Sequence, residues 1–327
     1  MEYIGTQYRI TIDMREQLNK LAYQCLTDFQ SYYNCHLSNL KEEKALYQWF
    51  LLQSKVLSKK CRKIEKAKEF ICPDGMQSQL DGFEKAVRTG QDLIRYMSRN
   101  VLDVDFEDKM FSDWRFLHFH LSNPYSLHPV DKRFLKRSEY LLIAYVDFFD
   151  DSTVYFLQIV PHIKDTWTND NLIRILVDNW PIMMKKDVFE GSLTATIKGK
   201  DRSLLRENNI NSAVDLGDGR VVIGPGLGVT GIGASTAAEL KSMNLGNRVQ
   251  FIEMSIGENV DAVGELIHWK LQNEQTAYRL KLEKLLNAHT ACFQVEGTPA
   301  YLGVNHNQFI VADSSQEILC QLDSNNI

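Results

Sequence analysis

Two histidines at alternate positions of one strand-like segment are the residues of this sequence best suited to chemistry. His118 and His120 flank Phe119 within residues 114–121, where side-chain character alternates with a period of two and predicts a β-strand. Side chains two residues apart on a strand share one face at about 6–7 Å, so both imidazoles face the same way and Phe119 faces the core. Because histidine exchanges a proton near neutral pH, the pair suits general acid and base cleavage of a phosphodiester.

A third histidine and an arginine extend this predicted site. His162 follows the strand-like residues 154–160, and we expect it to meet the other two imidazoles if the strands are neighbours. Arg137 precedes another strand and is placed to steady a phosphate. Two further interpretations stay open, because three imidazoles also suit zinc or another transition ion, and histidines in strands also fill structural roles. We expect acid–base chemistry with no metal ion and no cofactor.

Two groups of basic residues are candidates for nucleic-acid contacts. One precedes the strand predicted at residues 140–146 and is interleaved with aromatic residues, a mixture that suits a phosphate backbone and a stacked base. It comprises Lys132, Arg133, Lys136 and Arg137. The other ends the predicted N-terminal helical region, where it forms either a phosphate-binding helix face or a solvated surface. Its predicted phosphate contacts are Lys59, Lys60, Arg62 and Lys63.

A glycine-rich loop is a candidate for binding a phosphate or a cofactor. It follows a strand predicted at residues 220–223 and precedes a helix whose capping box begins at Thr236. Its glycines with the dinucleotide-fingerprint spacing are Gly226, Gly228 and Gly231. The acidic residue of that fingerprint is Glu253, after a strand predicted at residues 248–252. No further alternation of strands and helices follows, which favours a surface or substrate-facing loop over a Rossmann sheet.

The elements that position these residues predict an α+β protein in three segments. Residues 1–100 are mainly helical, with amphipathic spacing over 13–70. Residues 101–190 form a mixed α/β domain with a small, mainly antiparallel sheet that carries the histidine cluster. Residues 191–327 contain the glycine-rich loop, a long helix over 260–288 and a small β-meander.

Composition and charge exclude several classes of protein. The 327 residues are 44% hydrophobic and 24% charged, which excludes a fibrous or disordered chain. The net charge is -5, so nucleic-acid binding requires a local basic patch. The 6 cysteines include no Cys-x-x-Cys pair, which predicts free thiols rather than a disulfide framework or a thiolate zinc site. Neither a signal peptide nor an apolar run of about 18–20 residues is present, so we expect a cytoplasmic protein with no membrane partner.

Several motifs in residues 88–240 resemble a family of uncharacterised bacterial proteins. The motifs that carry the resemblance are Trp114-x-x-x-His118-x-His120-Leu121, His162 and Asn179-Trp180-Pro181. The sequence departs from the family pattern at Phe116 and Leu117, where the family has Ile and His, so one histidine of the family's cluster is missing. The resemblance implies no particular activity.

Two shorter likenesses bear on activity. His120-Leu121-Ser122 resembles the His-x-Ser element of two-histidine phosphoesterases, but the other copy, His36-Leu37-Ser38, falls in a predicted helix instead of a second strand. The strands with basic and histidine residues are similar to those of small ribonuclease toxins of toxin–antitoxin systems, at the level of the fold alone.

We therefore hypothesise a bacterial toxin- or defence-type protein that binds and cleaves RNA. His118 and His120 act as proton donor and acceptor, His162 orients them, and Arg137 or Lys136 holds the phosphate. One alternative is a non-enzymatic interaction protein that assembles through its long helices with a protein partner, such as an antitoxin or a defence-system subunit. The other is a metal-dependent hydrolase that uses the same histidines.

Overall fold

The structure, a computed structural model, describes residues 1–123, 125–147, 150–163, 166–195, 197, 199–287, 290–306 and 308–318. The chain divides into two compact units. Unit 1 comprises Met1–Tyr32, Lys41–Leu46 and Leu240–Ile327, and unit 2 comprises Tyr33–Leu40 and Tyr47–Glu239. Both predicted segment limits, after residues 100 and 190, fall inside unit 2.

Helices and strands alternate irregularly along the chain. In chain order the strands are β1 (Glu2–Ile4), β2 (Arg9–Thr11), β3 (Lys63–Lys66), β4 (Phe116–His120), β5 (Tyr140–Tyr145), β6 (Thr153–Pro161), β7 (Val188–Glu190), β8 (Val214–Asp215), β9 (Arg220–Val222), β10 (Ala277–Asn287), β11 (Thr290–Val295), β12 (Tyr301–Asn305) and β13 (Gln308–Ala312). The α-helices are α1 (Met14–Tyr33), α2 (Ala45–Lys55), α3 (Gln77–Arg88), α4 (Lys109–Trp114), α5 (Asp170–Asn179), α6 (Pro181–Met184), α7 (Gly199–Glu207), α8 (Thr236–Glu258) and α9 (Val260–Leu271). Short 3-10 turns occupy Glu42–Lys44, Ile94–Tyr96, Arg99–Leu102 and Thr166–Thr168.

Unit 1 contains a six-stranded sheet in the order β1-β2-β10-β11-β12-β13. β2 runs parallel to β10, and the other neighbours are antiparallel. Along β10 the buried residues Tyr278, Leu280 and Leu282 alternate with more exposed ones, as expected for a strand that covers a core with one face.

Unit 2 contains a four-stranded sheet in the order β3-β6-β5-β4, which carries the predicted histidine pair. β4, β5 and β6 form an antiparallel meander, and β3 lies parallel to β6 at the edge. On one face Phe119 packs against Phe83 of α3, with ring centroids 4.7 Å apart. On the other face Phe116 belongs to a core that includes Trp114 of α4 and Leu172 of α5. A separate three-stranded sheet has the order β7-β9-β8.

The α+β class is confirmed, and so are several of the predicted elements. The strands predicted at residues 140–146 and 154–160 are β5 and β6, which form the central antiparallel meander with β4. The predicted C-terminal β-meander is β11, β12 and β13. These segments are rich in β-branched and aromatic residues, and turn residues separate them, so the sequence identifies them as strands.

Two predicted helical stretches are wrong in part. The helical region expected to reach residue 70 ends at Lys55, and residues 63–66 pair in parallel with β6 as an edge strand. The helix expected over 260–288 ends at Leu271, where Gln272 adopts the left-handed conformation, with φ of 48°, that commonly ends a helix. At residues 63–66, pairing with the distant strand β6 outweighs local helix preference.

Two predicted strands are also corrected. Residues 248–252 lie within α8, so they form no strand. The strand expected over 114–121 is shorter, because α4 ends at Trp114 and Arg115, in the left-handed conformation with φ of 57°, turns the chain into β4.

Two further expectations concern membrane helices and cysteines. In the part of the chain that the structure describes, no helix is both long enough and apolar enough to cross a membrane. The described cysteines, Cys25, Cys35, Cys61, Cys72 and Cys292, are free thiols, and Cys320 lies outside the described residues.

Candidate active site

Three imidazoles converge at one end of the four-stranded sheet. His118 and His120 lie on the same face of β4, with ring centroids 6.4 Å apart. His162 directly follows β6, and its ring centroid lies 5.3 Å from that of His120. The antiparallel order brings them together, because β4 and β6 both end where β5 begins. The structure therefore joins the three histidines that the sequence singled out.

A cavity of about 480 Å³ is lined by His120 and by charged side chains from several segments of unit 2. These side chains include His36, Arg99, Asp103, His128, Asp131, Arg133 and Arg137. With neutral imidazoles, three arginines and two aspartates give the lining one net positive charge. A cavity in this size range accommodates a small organic ligand, and the charge favours an anionic one.

His120 is neutral at ordinary pH. The residue is 3% exposed, and burial is the main cause that lowers the pKa of its imidazole to about 3. Neighbouring groups that add to this effect are His118, His162, Arg137 and His128. Its Nδ1 is buried and has no hydrogen-bond partner among the described residues. A neutral ring of this kind can accept a proton, but it holds none to donate at neutral pH.

His118 is held by a carboxylate and lies outside the large cavity. Its Nδ1 is 3.4 Å from Oδ2 of Asp108. Oδ1 of the same aspartate caps α4 by accepting hydrogen bonds from the main-chain N–H groups of Met110 and Phe111, at 3.0 and 3.2 Å. His118 instead lines a space of only about 20 Å³ beside Lys55. The cap of α4 thus fixes the ring of His118, which in turn lies beside His120.

The basic residues predicted after β4 have different environments. Arg137 is exposed and lines the cavity, as predicted for a phosphate contact. Lys136 is exposed but is not part of the lining that the described residues form. Lys132 is exposed in a neighbouring depression that it shares with Arg99 and Arg133.

Arg133 is already committed to contacts within the protein. Its Nε and Nη2 donate to the two carboxylate oxygens of Asp131, at 2.8 and 2.6 Å. Its Nη1 donates to the main-chain oxygens of Tyr33 and Asn34, at 3.1 and 2.8 Å. The paired guanidinium lowers the pKa of the Asp131 carboxyl. These bonds favour a structural role for Arg133, which anchors the loop that follows β4.

The basic run around residue 60 is also tied to the fold, and it forms no helix face. Arg62 is 4% exposed, and it donates from Nη2 to Oδ2 of Asp151 at 2.8 Å and from Nε to the main-chain oxygen of Asp151 at 2.9 Å. Lys60 pairs with the same aspartate, and Lys59 lies 3.4 Å from another carboxylate. Lys63 is exposed on β3. None of the four lines the cavity as the described residues form it.

The glycine-rich loop packs against α4. The main-chain N–H of Gly226 donates to the main-chain oxygen of Asp113 at 3.1 Å. The main-chain N–H of Gly228 donates to the main-chain oxygen of Ser112 at 2.8 Å. The N–H of Thr236 donates to the oxygen of Gly228 at 3.1 Å. A Cβ at Gly226 would lie 2.1 Å from the Ser112 oxygen, so only glycine fits there. The amides of Gly226, Gly228 and Thr236, which the prediction offered to a phosphate, are therefore already paired.

The remaining parts of the dinucleotide fingerprint are placed differently from the prediction. The cap of α8 is Ser235 and not Thr236, because the Ser235 hydroxyl accepts a hydrogen bond at 3.4 Å from the main-chain N–H three residues later. Glu253 lies within α8 instead of at the end of a strand. Gly231 has open space around its Cα, so no close contact requires a glycine there.

The metal-hydrolase alternative has no ligand set in the described stretches of the chain. Within them, no group of three or more histidine, cysteine, aspartate or glutamate side chains is arranged to hold a metal ion.

Three residues of the cavity were missed as site residues by the sequence reasoning. His36 was set aside as helical, but it lies beyond the end of α1, next to Ser38, which forms a β-bridge with Asp103. The repeated His-Leu-Ser triplet was the signal that pointed to it. Arg99 and His128 lie in turns, and residue type alone does not show which turns reach a cavity.

Scans against protein-family models, curated proteins and solved structures each found no match to this chain. The fold and the site define an α+β protein with a cationic, histidine-lined cavity at the end of an antiparallel sheet.

Proposed function

We propose that this protein binds single-stranded RNA in the cavity beside His120 and cleaves it by histidine acid–base chemistry. One observation carries the proposal: the buried, neutral imidazole of His120 lines a cavity together with three arginines. It lies 5.3 Å from the exposed imidazole of His162, which is not part of the lining that the described residues form. Transfer of a phosphoryl group between two oxygens requires a neutral base, a second proton carrier and a cation. A toxin- or defence-type role in a bacterium stays a prediction from the sequence.

The roles that we propose for the residues differ from those of the sequence prediction. His120 accepts the proton of the ribose 2′-hydroxyl, because its unprotonated ring lines the cavity and lies 5.3 Å from His162. The negative charge of a bound phosphate raises the low pKa of this ring and makes it a stronger base. The 2′-oxygen then bonds to phosphorus, the bond from phosphorus to the 5′-oxygen breaks, and His162 in its protonated form gives that oxygen a proton. Arg137 balances the charge on the phosphate. His118 becomes a positioning residue, since Asp108 holds its ring and it lines a separate space of only about 20 Å³.

RNA suits this chemistry better than DNA. The 2′-hydroxyl is a nucleophile within the substrate, so the site needs only to move protons and to stabilise charge. The expected products are a 2′,3′-cyclic phosphate and a 5′-hydroxyl end.

The test compares cleavage of a fluorescent single-stranded RNA with cleavage of DNA of the same sequence. We expect RNA to be cut and DNA to stay intact. His162→Gln changes an exposed side chain, so it should keep the fold and lower the cleavage rate by about 100-fold or more. Arg137→Ala should weaken RNA binding, whereas Lys63→Ala, on the exposed edge strand, should change neither. Intact RNA with the wild-type protein, equal cleavage of DNA, or a wild-type rate for His162→Gln would each contradict the proposal.

The alternative, assembly with a protein partner, is favoured by one face of α8. Leu240, Met243 and Met254 are 42%, 57% and 45% exposed, and their spacing places them within one stripe of the helix. If this stripe binds a second copy of the chain, sedimentation should detect a dimer that Met243→Glu abolishes. A monomer at all concentrations would argue against that self-association.

A further inference from the structure

His128 lies on a loop whose backbone is fixed from both sides. The main-chain N–H of His128 donates to the main-chain oxygen of Phe134 at 2.8 Å, and the main-chain N–H of Lys136 donates to the main-chain oxygen of Ser126 at 2.8 Å. Leu127 and Leu135 form an antiparallel bridge between these bonds. A loop closed in this way holds its side chains in place before any ligand arrives.

The ring of His128 is fixed as well, and so is the position of its proton. Nδ1 accepts hydrogen bonds from the main-chain N–H groups of Val130 and Asp131, each at 3.3 Å. A ring nitrogen that accepts two N–H bonds carries no proton, so the neutral imidazole has its proton on Nε2. Asp131 is itself held by the two-bond contact with Arg133.

This fixed ring faces the same ligand space as the proposed base. His128 and His120 both line the cavity, together with Arg137. The two rings are close enough that His128 contributes to lowering the pKa of His120. The cavity therefore presents one neutral imidazole that lacks a partner on Nδ1 and another whose hydrogen-bond donor is Nε2.

We infer that His128 is a further catalytic residue, which donates a hydrogen bond from its neutral Nε2–H to a non-bridging oxygen of the phosphate under attack. The inference rests on the proposed RNA cleavage. The bond strengthens as negative charge grows on that oxygen in the transition state, and no proton is transferred from His128. Loss of one such donor typically lowers kcat by about 100- to 1,000-fold.

Two substitutions separate this role from support of the loop. Asn at position 128 places an acceptor near the Nδ1 position but no donor near Nε2, and Gln does the reverse. We expect His128→Asn to keep the melting temperature, to lower kcat for RNA by about 100-fold and to change KM by less than about 3-fold. His128→Gln should retain more activity and melt at a lower temperature.

The pH profile and the tautomer decide between donor and acid. If His128 only donates a hydrogen bond, the pH dependence of kcat for His128→Asn keeps the wild-type shape. Loss of the limb at high pH in that variant, or a wild-type kcat, would overturn the inference. Two-bond ¹H–¹⁵N correlation of histidine-labelled protein should show His128 protonated on Nε2, and protonation on Nδ1 would also overturn it.

A measurement without turnover distinguishes failure of this inference from failure of the proposed cleavage. Uridine 3′-monophosphate, as the probe in calorimetry, should bind the wild-type protein about 10-fold more tightly than it binds His128→Asn, because its dianionic phosphate carries more negative charge on the non-bridging oxygens than the diester of the substrate does. If the wild-type protein binds the nucleotide in this way but leaves RNA intact, the cleavage proposal fails and the donor role of His128 stands. Equal binding by the two proteins would overturn the donor role.

Discussion

The wild-type protein should lose stability in acid partly because of His120, and replacement of His120 by glutamine should make this loss smaller. The pKa of histidine in an unfolded chain is about 6.5, whereas burial lowers the pKa of His120 to about 3 in the folded protein. Between these values the unfolded chain binds a proton that the folded chain does not bind. The free energy of unfolding therefore falls as the pH drops below about 6.5, and it continues to fall until the pH reaches about 3.

The size of the effect follows from the two pKa values. Between pH 7.5 and pH 5.0, His120 lowers the free energy of unfolding of the wild-type protein by about 2 kcal/mol. His120→Gln lacks this contribution, and other titrating groups contribute equally to both proteins. The difference between the two pH dependences thus isolates His120.

The assay is urea unfolding at the two pH values, followed by tryptophan fluorescence, because Trp114 is buried in the core of unit 2. The control is His36→Gln, which changes an exposed imidazole of the same cavity and should keep the wild-type pH dependence. If the wild-type protein and His120→Gln lose the same free energy to within about 0.5 kcal/mol, the pKa of His120 is the same in the folded and unfolded chains, and burial does not keep its imidazole neutral in acid.

Three other comparisons test the packing and charge contacts of unit 2. Gly226→Ala should lower the free energy of unfolding by about 2 kcal/mol, because its Cβ would lie 2.1 Å from a main-chain oxygen. Gly231→Ala should change it by less than about 0.5 kcal/mol. Urea unfolding measures both values, and equal values would refute the packing role of Gly226. Arg62→Ala should cost about 2 kcal/mol in the same assay and Lys63→Ala almost nothing, since only the first side chain is buried and paired; equal costs would argue against this. Burial raises the pKa of Glu107 to about 8, so the folded protein holds a proton there that the unfolded chain releases. The free energy of unfolding of the wild-type protein should therefore fall by about 3 kcal/mol more between pH 5 and pH 8 than that of Glu107→Gln. Thermal unfolding of both proteins at both pH values tests this difference.

The sheet that carries the histidines was predictable because its strands have a strong local pattern. Residues 114–121 alternate in side-chain character, and residues 140–146 and 154–160 are rich in β-branched and aromatic residues. The short acidic link between the last two predicts a hairpin. That order of strands fixes which strand ends meet. The approach of His162 to His120 was therefore within reach of sequence reasoning.

The errors have two different physical origins. β3 is a strand because it pairs with β6, about 90 residues later in the chain, and local spacing carries no signal of that pairing. β10 is different, since Tyr278, Leu280 and Leu282 alternate plainly, and the helical spacing of the preceding residues was extended too far.

The cavity was the hardest feature to foresee. Arg99 and His128 reach it from turns that local hydrogen bonds close. What brings these turns together is the main-chain bond from the Leu135 N–H to the Arg95 oxygen, which joins residues far apart in sequence. Charge counts along the sequence also favoured Arg62 and Arg133 as phosphate contacts. Their burial and pairing become visible only in three dimensions.

The parallel pairing of β2 with β10 sets an order of events during synthesis. The ribosome makes all of Tyr47–Glu239 before it makes Ala277–Asn287, so unit 2 can acquire its core while β1 and β2 still wait for their partner strand. A chain that ends before β10 can contain the folded unit 2 with its histidine cavity, while the edge of β2 that pairs with β10 stays unpaired. Such an edge invites pairing between chains, so incomplete products of this protein should aggregate through their first twelve residues.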